Sequence, residues 1–172
     1  MKGLVFLVGF MGVGKTTLGK RLAAQLEVDF IDTDQLLEKQ FQCSIAEYFA
    51  LNGEDAFRMK EQELIVNLVK EVDNAVISVG GGLPCFYDNM ELMNKSGMTL
   101  YLHRPPKELF QRLKQGKHKR PLIADKSDEE LLSFITKSLA HREKYYLQAN
   151  QKLKREEQDV QSIAAFLREK FI

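Results

Sequence analysis

Apolar positions along this chain alternate between two rhythms. The runs Leu4-Val5-Phe6-Leu7-Val8, Ala75-Val76-Ile77-Ser78-Val79 and Met98-Thr99-Leu100-Tyr101-Leu102 are short and nearly unbroken. That is the pattern of strands buried on both faces of a sheet. Val28-Asp29-Phe30-Ile31-Asp32 reads as a further strand that ends in carboxylates, and Gln151-Lys152-Leu153-Lys154 as a weak fifth. Between these runs the spacing becomes helical. Leu18, Leu22 and Leu26 form one stripe, Leu36, Leu37 and Phe41 belong to a helix over 35–42, and Phe57, Leu64, Val66, Leu68 and Val69 supply apolar positions over 54–71. Ser44-Ile45-Ala46-Glu47 is a capping box that starts a helix, and Asn52-Gly53 ends it. Pro106 opens a helix running toward Lys114, Ser127 caps a long one reaching Ala149, and a terminal helix covers about 160–171. Residues 115–126 are polar, basic and expected to form a loop. Strands alternating with helices predict an α/β fold, a parallel sheet covered on both faces, with ligands beyond the carboxyl ends of the strands.

With 172 residues the chain is expected to form a single domain over 1–172, large enough for a substantial core. Twenty-five basic residues against 24 acidic ones give a net charge of +1, which implies no nucleic-acid partner. Lys2 and the apolar run after it could mimic a secretory signal, but Gly9, Gly12, Gly14 and Lys15 interrupt the run and no cleavage site follows. No apolar stretch is long enough to span a bilayer, so a soluble, cytoplasmic protein is expected. Cys43 and Cys85 have neither metal-type nor redox-type spacing and read as reduced thiols.

Candidate chemistry concentrates at the strand ends. Gly9-Phe10-Met11-Gly12-Val13-Gly14-Lys15-Thr16 fits the phosphate-binding pattern GxxxxGK[ST], between a strand and a helix as the pattern requires. Glycines let backbone N–H groups wrap a phosphate, the helix N-terminus adds partial positive charge, Lys15 reaches the β- and γ-phosphates, and the Thr16 hydroxyl suits Mg²⁺. Asp32 and Asp34 can hold the water ligands of Mg²⁺, accept hydrogen bonds from substrate hydroxyls, or take a proton, whereas Asp34 could also serve only as a helix cap. Arg58 and Glu61, three apart on a helix, are either a solvated pair or an arginine held rigid to grip a carboxylate, with Phe57 as an apolar wall. Gly80-Gly81-Gly82 after a buried strand suggests close approach of backbone to ligand. Lys117-His118-Lys119-Arg120-Pro121-Leu122 is a solvated basic loop or a lid that brings Arg120 to a transferring phosphoryl group. Nucleic-acid binding there is disfavoured because no aromatic platform interleaves the charges. Arg142 alone is one charge among many, and His103, His118 and His141 read as structural or solvated.

Six motifs, in this order, resemble the shikimate kinase family: GFMGVGKTT at 9–17, IDTD at 31–34, SIAEYFALNGEDAFRMKE at 44–61, SVGGG at 78–82, KRPLI at 119–123 and HREKYY at 141–146. The resemblance implies a P-loop kinase of the nucleoside-monophosphate-kinase type, with a five-stranded parallel sheet, a substrate-binding helical region at about 33–61 and a lid at about 115–126. It implies transfer of the ATP γ-phosphoryl to the 3-hydroxyl of shikimate, with Mg²⁺ as cofactor and the chain as a monomer. By the same likeness Gly12, Val13, Gly14, Lys15, Thr16 and Thr17 bind ATP, Arg112 lies along the adenine, and Arg120 is the lid arginine. Thr16 and Asp32 serve the metal. Asp34, Arg58, Gly80, Gly81, Gly82 and Arg142 bind shikimate, with Lys15, Asp34 and Arg120 catalytic. Residues 148–157 depart from the family pattern, so Arg155 is assigned to the adenine loop only by position. A kinase for another small hydroxy acid such as gluconate, and a nucleotide-binding module without catalysis, are the alternatives.

Overall fold

The computed structural model describes residues 3–117, 120 and 122–170. His118, Lys119 and Pro121 of the basic loop lie outside the described residues, as do Lys2 and Phe171. Five strands, β1 (Gly3–Val8), β2 (Asp29–Asp32), β3 (Asn74–Ser78), β4 (Met98–Leu102) and β5 (Gln151–Leu153), form one sheet in the order β2-β3-β1-β4-β5. All pairings are parallel. Every residue of β1 is buried, as expected of a central strand flanked by β3 and β4. Among the described residues seven α-helices accompany the strands: α1 (Lys15–Leu26), α2 (Thr33–Phe41), α3 (Ile45–Glu71), α4 (Asn89–Ser96), α5 (Pro106–Lys114), α6 (Asp128–Tyr146) and α7 (Val160–Lys170). Helix α1 packs on α7 and against β2 and β3, α2 on α3, and α5 on α6.

Several boundaries differ from the periodicity, each for a local reason. Gly53, at φ 81° and ψ 172°, ends the first helical segment as the sequence predicts, and a second resumes at once, so α3 is two helices joined across a kink. The cap of α2 is Asp32, whose Oδ1 accepts from the Asp34 and Gln35 N–H groups at 3.1 and 3.4 Å. Asp34 is the second residue of the helix, within its first turn, and the capping carboxylate is that of Asp32. Helix α6 stops at Tyr146 rather than Ala149 because Asn150 is pinned to β4. Its Oδ1 accepts from Thr99 N at 2.9 Å, and its own N–H donates to Thr99 Oγ1 at 2.8 Å. Helix α4 has no counterpart in the sequence reading. It is short, lacks a side-chain cap and buries Met90 and Met93.

Gly97, between α4 and β4, is required by space. A Cβ there would meet the Leu4 carbonyl oxygen at 2.2 Å, and backbone cannot yield as a side-chain tip can. Gly97→Ala is expected to destabilise the fold by about 1–3 kcal/mol, the usual cost of overpacking, read as a lower urea midpoint at unchanged m-value. An unchanged midpoint contradicts that close approach.

Candidate active site

The turn between β1 and α1 is a cradle of backbone donors. Gly12 and Gly14 have φ of 78° and 109°, a region side chains rarely adopt, and no side chain caps α1. The N-terminal N–H groups of α1 therefore face a cavity of about 520 Å³, lined by the loop, Lys15, Thr16, Thr17, Asp32, Asp34, Gly81, Arg112 and Arg120. Lys15 Nζ donates to the Gly9 and Phe10 carbonyls at 2.7 and 3.2 Å. Burial lowers its pKa to about 8, against the opposing pull of the Asp34 and Asp32 carboxylates. Thr16 Oγ1 donates to Asp32 Oδ2 at 2.9 Å, so the two residues expected at a metal share one hydrogen bond. Arg112 Nε donates to Gly12 O at 2.7 Å and Arg120 Nη1 to Gly116 O at 2.9 Å, which brings both guanidiniums to the cavity wall. Val13 is buried, and its carbonyl accepts from Arg104.

The second half of the site is built around the end of β3. None of Gly80, Gly81 and Gly82 has a positive φ; at Gly80 and Gly82 the lack of a side chain serves space instead. A Cβ on Gly80 would lie 2.6 Å from Asp34 Oδ1 and 2.9 Å from Glu61 Oε1, and one on Gly82 would lie 2.5 Å from Arg58 Nη1. A Cβ on Gly81 would be 3.5 Å from both Arg142 Nη1 and the Gly9 carbonyl. The glycines thus meet Asp34, Glu61, Arg58 and Arg142 on one side and the phosphate loop on another. The Gly80 N–H donates to the buried Thr33 hydroxyl at 3.0 Å, and Tyr146 Oη donates to the Gly81 carbonyl at 2.6 Å.

Arg58 is 8% exposed and Glu61 1%, so theirs is not a solvated surface pair. Arg58 Nη1 donates to Glu61 Oε2 at 2.6 Å, while Nε and Nη2 donate to Glu54 Oε1 at 3.1 and 3.0 Å. Phe57, as expected, walls the site, packing on Phe41, Tyr48 and Phe49. Burial pushes Glu61 up to about 7 although Arg58 opposes it, and burial raises Asp34 although Lys15 opposes it. Arg142 lies with its guanidinium carbon 5.6 Å from the Phe10 ring, beside the loop.

Arg155 is set apart. It lies in a neighbouring cleft of about 390 Å³ with Arg104, Glu108 and Arg112, its Nη1 3.8 Å from Glu108. Arg104, Glu54 and Tyr146 were given no role by sequence reasoning. Arg104 ties the loop to α5 and to the segment just before α7 through Val13 O, Glu108 and Gln158. The i,i+4 spacing of Arg104 with Glu108, and of Glu54 with Arg58, was the available signal.

A 2-3-1-4-5 parallel sheet with a glycine cradle ahead of α1 and a charged acceptor pocket at the adjoining strand end defines a P-loop phosphotransferase of the nucleoside-monophosphate-kinase type. The shikimate kinase family model matches residues 11–170, and the chain belongs to that family. A shikimate kinase from Bacteroides fragilis is 48% identical over 146 residues, 85% of this chain and 81% of the relative. A crystal structure of shikimate kinase from Bacteroides thetaiotaomicron superposes with a TM-score of 0.88 at 41% identity over 97% of both chains. A shikimate kinase from Acinetobacter baumannii solved in complex with shikimate gives a TM-score of 0.82 at 28% identity, over 99% of this chain and 96% of the other. The chain is accordingly an ATP-dependent phosphotransferase acting on a hydroxyl group. Among the described residues no helix is long and apolar enough to cross a membrane.

Because Lys15 loses its proton near pH 8, a phosphate chain that favours the ammonium form must raise that pKa on binding. Calorimetric titration of ATP at pH 8 in buffers of different ionisation enthalpy is expected to reveal proton uptake, with affinity falling as pH rises further. Proton release on binding contradicts the assignment.

Proposed function

We propose that this chain transfers the γ-phosphoryl group of ATP to the 3-hydroxyl of shikimate, with residues 33–61 holding the acceptor and 115–126 acting as the lid. The supporting observation is that the Gly80–Gly82 segment lies among Asp34, Arg58, Arg142 and the Gly9–Met11 loop: a Cβ on Gly81 would be 3.5 Å from both Arg142 Nη1 and the Gly9 carbonyl and 3.6 Å from Met11 N. Shikimate carries a carboxylate at one end and hydroxyls at the other. Arg58 and Arg142 supply two guanidiniums for the carboxylate, and Asp34, beside Gly80, supplies a carboxylate for the hydroxyls.

In this proposal the Gly12–Thr17 backbone and Lys15 bind the ATP phosphates, Arg112 lies along the adenine with Arg155 at its border, and Arg120 neutralises charge on the moving phosphoryl group. Asp34 accepts the proton of the attacking hydroxyl as that oxygen bonds to the γ-phosphorus and the bond to the ADP oxygen breaks. A basicity raised by burial suits it to that task. The Thr16 hydroxyl and Asp32 carboxylate, hard oxygen donors already in contact, fit Mg²⁺ held partly through water. When bound, Mg²⁺ neutralises charge on the β- and γ-phosphate oxygens. The chain's own residues do the positioning, and positioning accounts for much of phosphoryl transfer. We infer that the protein works as a cytoplasmic monomer.

Acceptor-dependent ADP formation tests this directly. Turnover is expected with shikimate and not with gluconate or without acceptor; gluconate turnover or acceptor-independent hydrolysis overturns it. Asp34→Asn is expected to lower kcat by about 10²–10⁴-fold, the range for losing a positioned base, with a smaller change in KM. Near-normal kcat removes the base role. Arg58→Ala is expected to raise the KM for shikimate by about 2–5 kcal/mol in binding while the KM for ATP stays put. A change confined to ATP would place Arg58 in the wrong half of the site.

A further inference from the structure

The turn that follows the triple glycine takes no part in the roles above, yet it delivers a side chain onto Arg58. The Phe86 ring centroid lies 4.6 Å from the Arg58 guanidinium carbon, nearer than the rings of Phe57 at 5.4 Å and Phe49 at 5.7 Å. The turn is firmly built. Asn89, 1% exposed, donates from Nδ2 to Leu83 O at 3.0 Å and from its backbone N–H to Phe86 O at 3.0 Å. Tyr87 and Asp88 hold φ of 50° and 55°, conformations that residues with side chains seldom adopt. A constrained turn that leaves an aromatic ring 37% exposed has a purpose other than core packing.

The purpose follows from how Arg58 is surrounded. Its side edge is taken by Glu54 and one Nη1 position by Glu61, so two of its five N–H groups remain outside these bonds, one each on Nη1 and Nη2. A carboxylate met there in bidentate fashion needs the guanidinium plane fixed and water held off. The carboxylates fix the edges of the fork and three rings lie near it, Phe86 the most exposed of them.

We propose that Phe86 is a positioning residue for the acceptor carboxylate, acting through Arg58 by fixing the plane of its fork and shielding its outward edge from water. This rests on the assignment of Arg58 to the shikimate carboxylate. Phe86→Ala is expected to raise the KM for shikimate about fivefold to tenfold, in the range of a partly desolvated cation–π contact, with kcat and the KM for ATP within twofold of wild type. Phe86→Tyr should restore the KM, and Phe86→Leu, which keeps bulk without an aromatic face, should not. With the methyl ester of shikimate as acceptor, Phe86→Ala and wild type should have equal KM. A wild-type KM for Phe86→Ala, full restoration by leucine, or an equal loss with the ester overturns the proposal. If the alanine variant does not fold, leucine against tyrosine decides in the same sense. Absence of shikimate turnover in the wild type would instead overturn the functional assignment, which separates the two failures.

Discussion

The site depends on three consecutive residues without side chains at the carboxyl end of a buried strand. Two carboxylates and two guanidiniums reach the Gly80–Gly82 backbone from α2, α3 and α6, at distances where a single Cβ would collide with Asp34 or Arg58. The loop ahead of α1 lies next to that backbone, 3.5 Å from where a Cβ on Gly81 would stand. An anion cradle and a pocket for an anionic polyol can share a rim only if nothing protrudes between them. At Gly80 and Gly82 only glycine leaves that room, since a Cβ there would lie 2.6 Å from Asp34 and 2.5 Å from Arg58.

The charges gathered there are poorly solvated, and their protonation responds accordingly. Burial lowers Lys15 and raises Asp34 and Glu61. Buried ion pairs contribute little net stability, because desolvation consumes most of the Coulombic gain. A cluster of this kind is better understood as preorganisation. Arg58, held by Glu54 and Glu61 and flanked by aromatic rings, has already lost the side-chain freedom that gripping a carboxylate would otherwise cost. Tyr146 does the same for the backbone by anchoring the Gly81 carbonyl.

Much of this was legible in the sequence. The strand runs, the glycine loop and the helix caps depend on local chemistry, and local chemistry is what a sequence displays; the box at Ser44 and the cap at Ser127 both form. What was not legible depends on contacts distant in the chain. Asp32 rather than Asp34 caps α2 because Asp32 also meets the Thr16 hydroxyl on α1. The end of α6 is set by Asn150 reaching β4, and α4 rests on two methionines with a weak helical pattern. The triple glycine was anomalous in sequence, yet the reason for Gly80 and Gly82, close approach of side chains from α2 and α3, exists only in three dimensions. Phe86 gave no signal at all, since its partner lies 28 positions earlier in the chain (86 less 58).

The central claim is that the phosphate cradle and the acceptor pocket open onto one rim across Gly81. A crystal structure of the protein with shikimate and a non-hydrolysable ATP analogue tests it most directly. The account predicts the acceptor carboxylate on Arg58 and Arg142, a hydroxyl beside Asp34, and that hydroxyl in line with the terminal phosphate. A carboxylate bound away from both arginines, or an acceptor separated from the phosphate by intact protein, would contradict it.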